Sequence, residues 1–146
     1  MKQWEESITI AAPADKIFPA VSDFARHSEW AGHGLQATKV GDGPIAVGTQ
    51  FATTAKLLGT QREQSTITDL TPPTKVAWDS VGALGKVHHW VTLAEQGGST
   101  VVKKGAEMVE PKFLAKMTMF KISKDIPKGL QADLANIKSN AEKSAG

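Results

Sequence analysis

The chain has 146 residues, 40% hydrophobic and 22% charged, with net charge +2, four tryptophans, five phenylalanines and no cysteine. These values describe one ordinary globular domain with room for a core and a modest cavity. They exclude a disulfide framework, a thiol nucleophile and a zinc–thiolate site, and so small a charge gives no argument for nucleic acid.

No apolar run approaches the roughly 20 residues of a membrane helix. The opening MKQWEES also lacks the apolar segment of a secretory signal, so a cytoplasmic protein is expected. Ser7-Ile8-Thr9-Ile10 alternates polar and apolar, which predicts a strand with Ile8 and Ile10 inward. Ala12-Pro13-Ala14-Asp15 ends it, and Pro13 suits the first turn of a helix. Ile17, Phe18 and Val21 give that helix a short apolar face, and Pro19 keeps it short. Asp23 can cap a second short helix running towards Trp30 and stopping at Gly32-His33-Gly34.

From Leu35 onward the pattern is of strands divided by turn residues. Strands are predicted over 35–40, 48–57, 61–70, 75–81, 86–94 and 100–109. The punctuation is Gly41-Asp42-Gly43-Pro44, Leu58-Gly59, Thr71-Pro72-Pro73, Gly82 with Gly85, and Gln96-Gly97-Gly98-Ser99. Such short connections predict an antiparallel meander. The glycine pairs lack the strand-to-helix context and lysine of a phosphate loop.

Residues 111–145 then read as a long helical run. Ile126, Leu130, Leu134, Ile137 and Ala141 form one apolar face, which Met119 and Ile122 continue backwards. Phe113, Met117 and Phe120 form a second stripe roughly 100° or more round the axis. Pro127 either kinks this helix or opens a new one capped by Ser123 or Asp125. The run therefore divides: 126–141 grips the sheet, and 113–122 is a cavity mouth, a lid or a contact surface. Seven strands, two short helices after the first strand and one long C-terminal helix make an α+β fold of two layers, with a curved antiparallel sheet wrapped around the helix.

Several segments also resemble, in order, one known family. They are Ser7-Ile8-Thr9-Ile10-Ala11-Ala12-Pro13-Ala14-Asp15-Lys16-Ile17-Phe18, the stretch from Val21-Ser22-Asp23-Phe24 to Glu29-Trp30, and Val47-Gly48-Thr49. Pro72-Pro73-Thr74-Lys75-Val76-Ala77-Trp78 and Gly97-Gly98-Ser99-Thr100-Val101-Val102 follow. The set resembles the polyketide cyclase/dehydrase-like branch of the START-like (Bet v 1-like, SRPBCC) superfamily over essentially the whole chain. The resemblance implies a single helix-grip domain over residues 1–146, with a cavity for lipids, polyketides, phenolics or similar apolar molecules. Some relatives are cyclases or dehydratases and others carry ligands or sense hormones. No shared catalytic residue defines the superfamily, so no catalytic assignment is carried over.

The residues themselves nominate a binding site. Trp30, Phe51, Trp78 and Val91 are expected to line an apolar pocket, with Phe113, Met117 and Phe120 on its helical side. His89 shares an inward row with Val87, Val91 and Leu93, so it is a candidate hydrogen-bonding or general-base group at the wall, while His88 points outward. Asp69, Asp79, Glu63 and Glu107 are possible acids on strands, and Glu6 shares parity with Ile8 and Ile10. His27 and His33 flank Trp30 without further ligands at metal spacing, so neither a metal nor a cofactor is expected. The expected partner is a small hydrophobic molecule. Lys112, Lys116, Lys121, Lys124 and Lys128 beside the apolar first half of the helix add an alternative, a module that contacts an anionic membrane or a protein partner through that helix. Monomer and dimer both remain open.

Overall fold

The computed structural model describes residues 2–31, 35–56 and 60–145. The expected glycine break with His33, and the strand end at Leu57, Leu58 and Gly59, lie outside the described residues. Strand β1 (Gln3–Ile10) leads into helix α1 (Ala14–Ser22) and a 3-10 helix (Phe24–Glu29). Six strands follow: β2 (Gln36–Val40), β3 (Gln50–Lys56), β4 (Thr60–Thr71), β5 (Lys75–Gly82), β6 (Gly85–Gln96) and β7 (Ser99–Pro111). A short helix α2 (Phe113–Met117) and the long α3 (Met119–Ala145) complete the chain.

All seven strands form one antiparallel sheet in the order β1-β7-β6-β5-β4-β3-β2. Each turn joins sheet neighbours except the connection from β1 to β2, which carries the two small helices across to the far edge. Register shifts between Ile67 and Asp69 in β4, and beside Lys86 and Val87 of β6, bend the sheet as bulges do. The alternation seen in the sequence sets its faces. Ile67, Phe51, Trp78, Val91 and Val102 are buried on the concave side with the inner row of α3. On the convex side Trp90 lies flat over Gly105, where an added Cβ would sit 2.2 Å from its ring.

Helix caps follow the local chemistry. The Asp23 carboxylate accepts from Ala25 N at 3.0 Å, which starts the 3-10 helix. Pro13 stands at the N-cap of α1 and so lies one residue before the helix. Helix α3 fills the concave side through Ile122, Leu130, Leu134 and Ile137, all nearly inaccessible to solvent. Its polar edge clasps β1: Gln131 donates to Glu6 at 2.8 Å, Lys138 to the Thr9 carbonyl at 2.8 Å, and Ala11 N to Glu142 at 2.9 Å. Asn136 and Asn140 donate to the Trp30 and Glu29 carbonyls, which anchors the 3-10 helix to α3.

Pro127 does not divide the helical run, because α3 is continuous through it. The division comes earlier, at Thr118, whose φ of −107° and ψ of 13° leave the helical region. Its hydroxyl donates to the Leu114 carbonyl at 2.8 Å and closes the short α2. No described helix is long and apolar enough to cross a membrane.

Candidate functional site

Among the described residues the interior has two apolar clusters. The larger, under α1 and the 3-10 helix, is an aromatic stack. Phe24 lies on Phe51 with ring centroids 4.5 Å apart, on His27 at 4.1 Å and edge-on to Trp78 at 4.9 Å, while His27 meets Trp30 at 4.5 Å. The smaller cluster joins Met108, Ala115 and Ile122, with Leu84, Val87, Met119 and Ile126 packed against it. Between sheet and helix, on the side of the smaller cluster, lies a cavity of about 220 Å³.

Its wall is largely apolar. Strands β6 and β7 supply Val87, Ala106 and Met108, Leu84 comes from the β5–β6 turn, and α3 supplies Ile122, Ile126 and Leu130. Gly129 opens the helical wall, since a Cβ built there meets nothing within 4 Å. Thr118, Lys121 and Asp125 stand at the rim, with Lys121 and Asp125 in an ion pair and partly in solvent.

Four polar side chains line the interior: Glu63, His89, Lys104 and Asp133. The Lys104 ammonium is buried, 3.5 Å from an Asp133 carboxylate oxygen and 5.6 Å from the centre of the Trp30 ring. Loss of water pushes its pKa down, and Asp133 opposes that shift. His89 stacks on Trp78 at 5.3 Å and 14°. Burial, with the charge of Lys104 adding to it, lowers its pKa to about 3, so the ring is neutral at physiological pH. Among the described residues nothing hydrogen-bonds to its ring nitrogens, which leaves a neutral donor and acceptor edge beside the cavity. Burial raises the pKa of Glu63. The arrangement can hold an apolar body and engage one polar group of it.

The family described as polyketide cyclase / dehydrase and lipid transport matches residues 1–142. The chain belongs to that family. Solved structures with the same fold include TTHA0849 from Thermus thermophilus, at 10% identity and a TM-score of 0.78 over 99% of this chain and 100% of that one. Ara h 8.0201 superposes with a TM-score of 0.69 at 18% identity, over 97% and 98% of the two chains. NE0264 from Nitrosomonas europaea reaches 0.75 at 10% identity, over 98% and 96%. At these identities the likeness shows the helix-grip, Bet v 1-like fold and nothing of the ligand. No curated protein matches the sequence.

In this polyketide cyclase / dehydrase and lipid transport family member, only one of the eight nominated lining residues borders the cavity, namely His89. Trp30, Phe51, Trp78 and Val91 are at most 5% exposed and belong to the aromatic core. Phe24 and His27 link the three aromatic rings: Phe24 lies on Phe51 and edge-on to Trp78, and His27 meets Trp30 and Trp78. Phe113, Met117 and Phe120 are 76%, 61% and 75% exposed: the turn at Thr118 sets α2 off from α3 with only Ala115 of α2 buried, and Phe120, two residues before the buried Ile122, stands on the outer side of α3. Of the strand acids, Glu63 lines the cavity. Asp79 instead bonds His88 at 2.6 Å on the opposite face from His89, and Asp69 pairs with Lys75 in solvent. His27 is a core residue, with Nε2 2.8 Å from the Val21 carbonyl. No cluster of three or more metal-ligating side chains occurs among the described residues.

Lys104, Asp133 and Gly129 escaped the sequence reading. Lys104 shares inward parity with Val102 and Ala106, and Asp133 lies three and four residues from Leu130 and Ile137. Those phases were the available signal.

Proposed function

We propose that this protein binds a small, mainly apolar molecule carrying one polar group, in the cavity between the sheet and α3. The observation that carries the reading is the cavity itself, with apolar walls and a few convergent polar groups, the usual composition of a small-molecule site. Its 220 Å³ exceeds the roughly 150 Å³ that holds benzene and falls short of the roughly 300–1,000 Å³ of drug-sized pockets. One ring or two fused rings match that volume; a whole lipid does not. The Lys104 ammonium and the neutral His89 edge supply the polar contact. Native mass spectrometry of purified protein, with fluorescence titration of 2-naphthol as a two-ring probe, tests the proposal. A co-purifying apolar species and saturable probe binding are expected. Empty preparations together with an inert probe would overturn it.

An enzymatic reading, of cyclase or dehydratase type, draws on one feature: His89 borders the cavity with no hydrogen-bond partner among the described residues, so its ring can accept a substrate proton there, as a weak base because burial lowers its pKa to about 3. Under that reading His89→Ala abolishes turnover of a polyketide-like substrate, whereas under simple binding it changes affinity only modestly.

A further inference from the structure

Helix α2 and the first turn of α3 leave four large apolar side chains uncovered. Phe113, Leu114, Met117 and Phe120 are 76%, 40%, 61% and 75% exposed. They are four of the seven exposed large hydrophobic residues among the described ones, and they fall within eight consecutive positions. A soluble surface scatters such residues singly, and a contiguous group marks a contact.

The charge around the group identifies the partner. Lys112, Lys116, Lys121, Lys124 and Lys128 are all exposed. Residues 112–128 carry five lysines and one aspartate, a net +4, whereas the whole chain carries +2, so the other residues sum to −2. A protein groove or a second copy of the chain would satisfy the phenylalanines without any need for this concentration of positive charge. An anionic bilayer satisfies both, with phenylalanine and leucine at the acyl boundary and lysines among the headgroups.

We propose that residues 112–128 form a docking face for an anionic membrane surface. The rim residues Thr118, Lys121 and Asp125 belong to the same segment, so docking brings the cavity mouth to the headgroup layer. Docking needs no occupant of the cavity.

The test is sedimentation of the full chain with phosphatidylcholine vesicles, with and without a quarter of phosphatidylglycerol. Binding is expected to the anionic vesicles only, and to weaken as salt shortens the reach of charge below about 10 Å. Phe113→Glu with Phe120→Glu should abolish sedimentation while leaving thermal unfolding unchanged, since both side chains are in solvent. Lys116→Gln and Lys124→Gln should each cost about fivefold in partitioning. Equal binding to neutral vesicles would overturn the proposal, as would no binding to either kind. So would concentration-dependent dimerisation that the phenylalanine variants remove in the absence of vesicles.

Discussion

Gly129 offers the sharpest test of the cavity, because filling it and stabilising the protein should go together. The residue lies inside α3, and an added Cβ meets nothing within 4 Å. Gly129→Ala therefore keeps the helical propensity gain of about 1 kcal/mol with no steric cost. For a domain of this size that raises Tm by about 3 °C. Gly129→Leu goes further. If its side chain enters the 220 Å³ void, burial of the added carbons contributes about 1.5–3 kcal/mol and the variant is at least as stable as the parent. In a closely packed wall the same leucine would cost about 1–3 kcal/mol through overpacking. Thermal unfolding followed by circular dichroism reads the sign, and 2-naphthol titration reads the remaining volume. The expected pair is a raised Tm with lost probe binding for Gly129→Leu. A lowered Tm, or undiminished binding at unchanged stoichiometry, would mean that Gly129 does not border a void the leucine can fill.

Lys104→Met removes one member of a buried ion pair and should destabilise by about 3 kcal/mol, the lower part of the usual range because Asp133 is 15% exposed. Adding Asp133→Leu should restore most of it, as read by urea denaturation. His27 is 2% exposed and its pKa falls from 6.5 to about 3 on burial, so between those values the unfolded chain binds the extra proton. Stability is therefore full above pH 6.5 and declines as pH falls, by up to about 1.4 kcal/mol per pH unit from this residue alone. In His27→Gln the slope of stability against pH over that window should be shallower; an unchanged slope would show that His27 is already accessible to protons. Phe51→Ala, in the aromatic stack, should cost about 3–5 kcal/mol yet leave 2-naphthol affinity of the folded protein intact. Weakened affinity would return Phe51 to the binding site.

The strands were legible because alternation is a local property. Residues such as Val76, Trp78 and Ser80 report their face of the sheet by parity alone, and the predicted strand limits from β2 to β7 agree with the observed ones within a few residues. The inner stripe of α3 was legible for the same reason. What lies opposite an apolar residue is not local. Phe113, Met117 and Phe120 are as apolar as Ile122 and Leu130, yet the turn at Thr118 sends the first two into solvent and the outer side of α3 the third. Hydrophobicity measures an aversion to water and does not name the surface that relieves it. Lys104 shows the converse. A lysine in a strand reads as solvated, and only Asp133, on a helix 29 positions later, makes its burial tenable. A cavity is harder still, since it consists of atoms that are missing: Gly129 writes no periodic signal, and Trp30 and Trp78 fill space that their size suggested they would enclose.

The pairing of β1 with β7 also dictates an order of assembly. From β2 to β7 each strand pairs with the next one along the chain, so that meander can zip as it leaves the ribosome. Gln3, by contrast, pairs with Glu107, and Glu142 accepts from Ala11. At about 5–20 residues per second, β1 waits roughly 5–20 s for its partner strand to be made. Throughout that interval Ile8 and Ile10 have no sheet to join, and β7 reaches α3 only after its own synthesis is past. The domain closes at the seam between its oldest and youngest segments, so that seam is where nascent chains are most open to chaperones and to mispairing with one another.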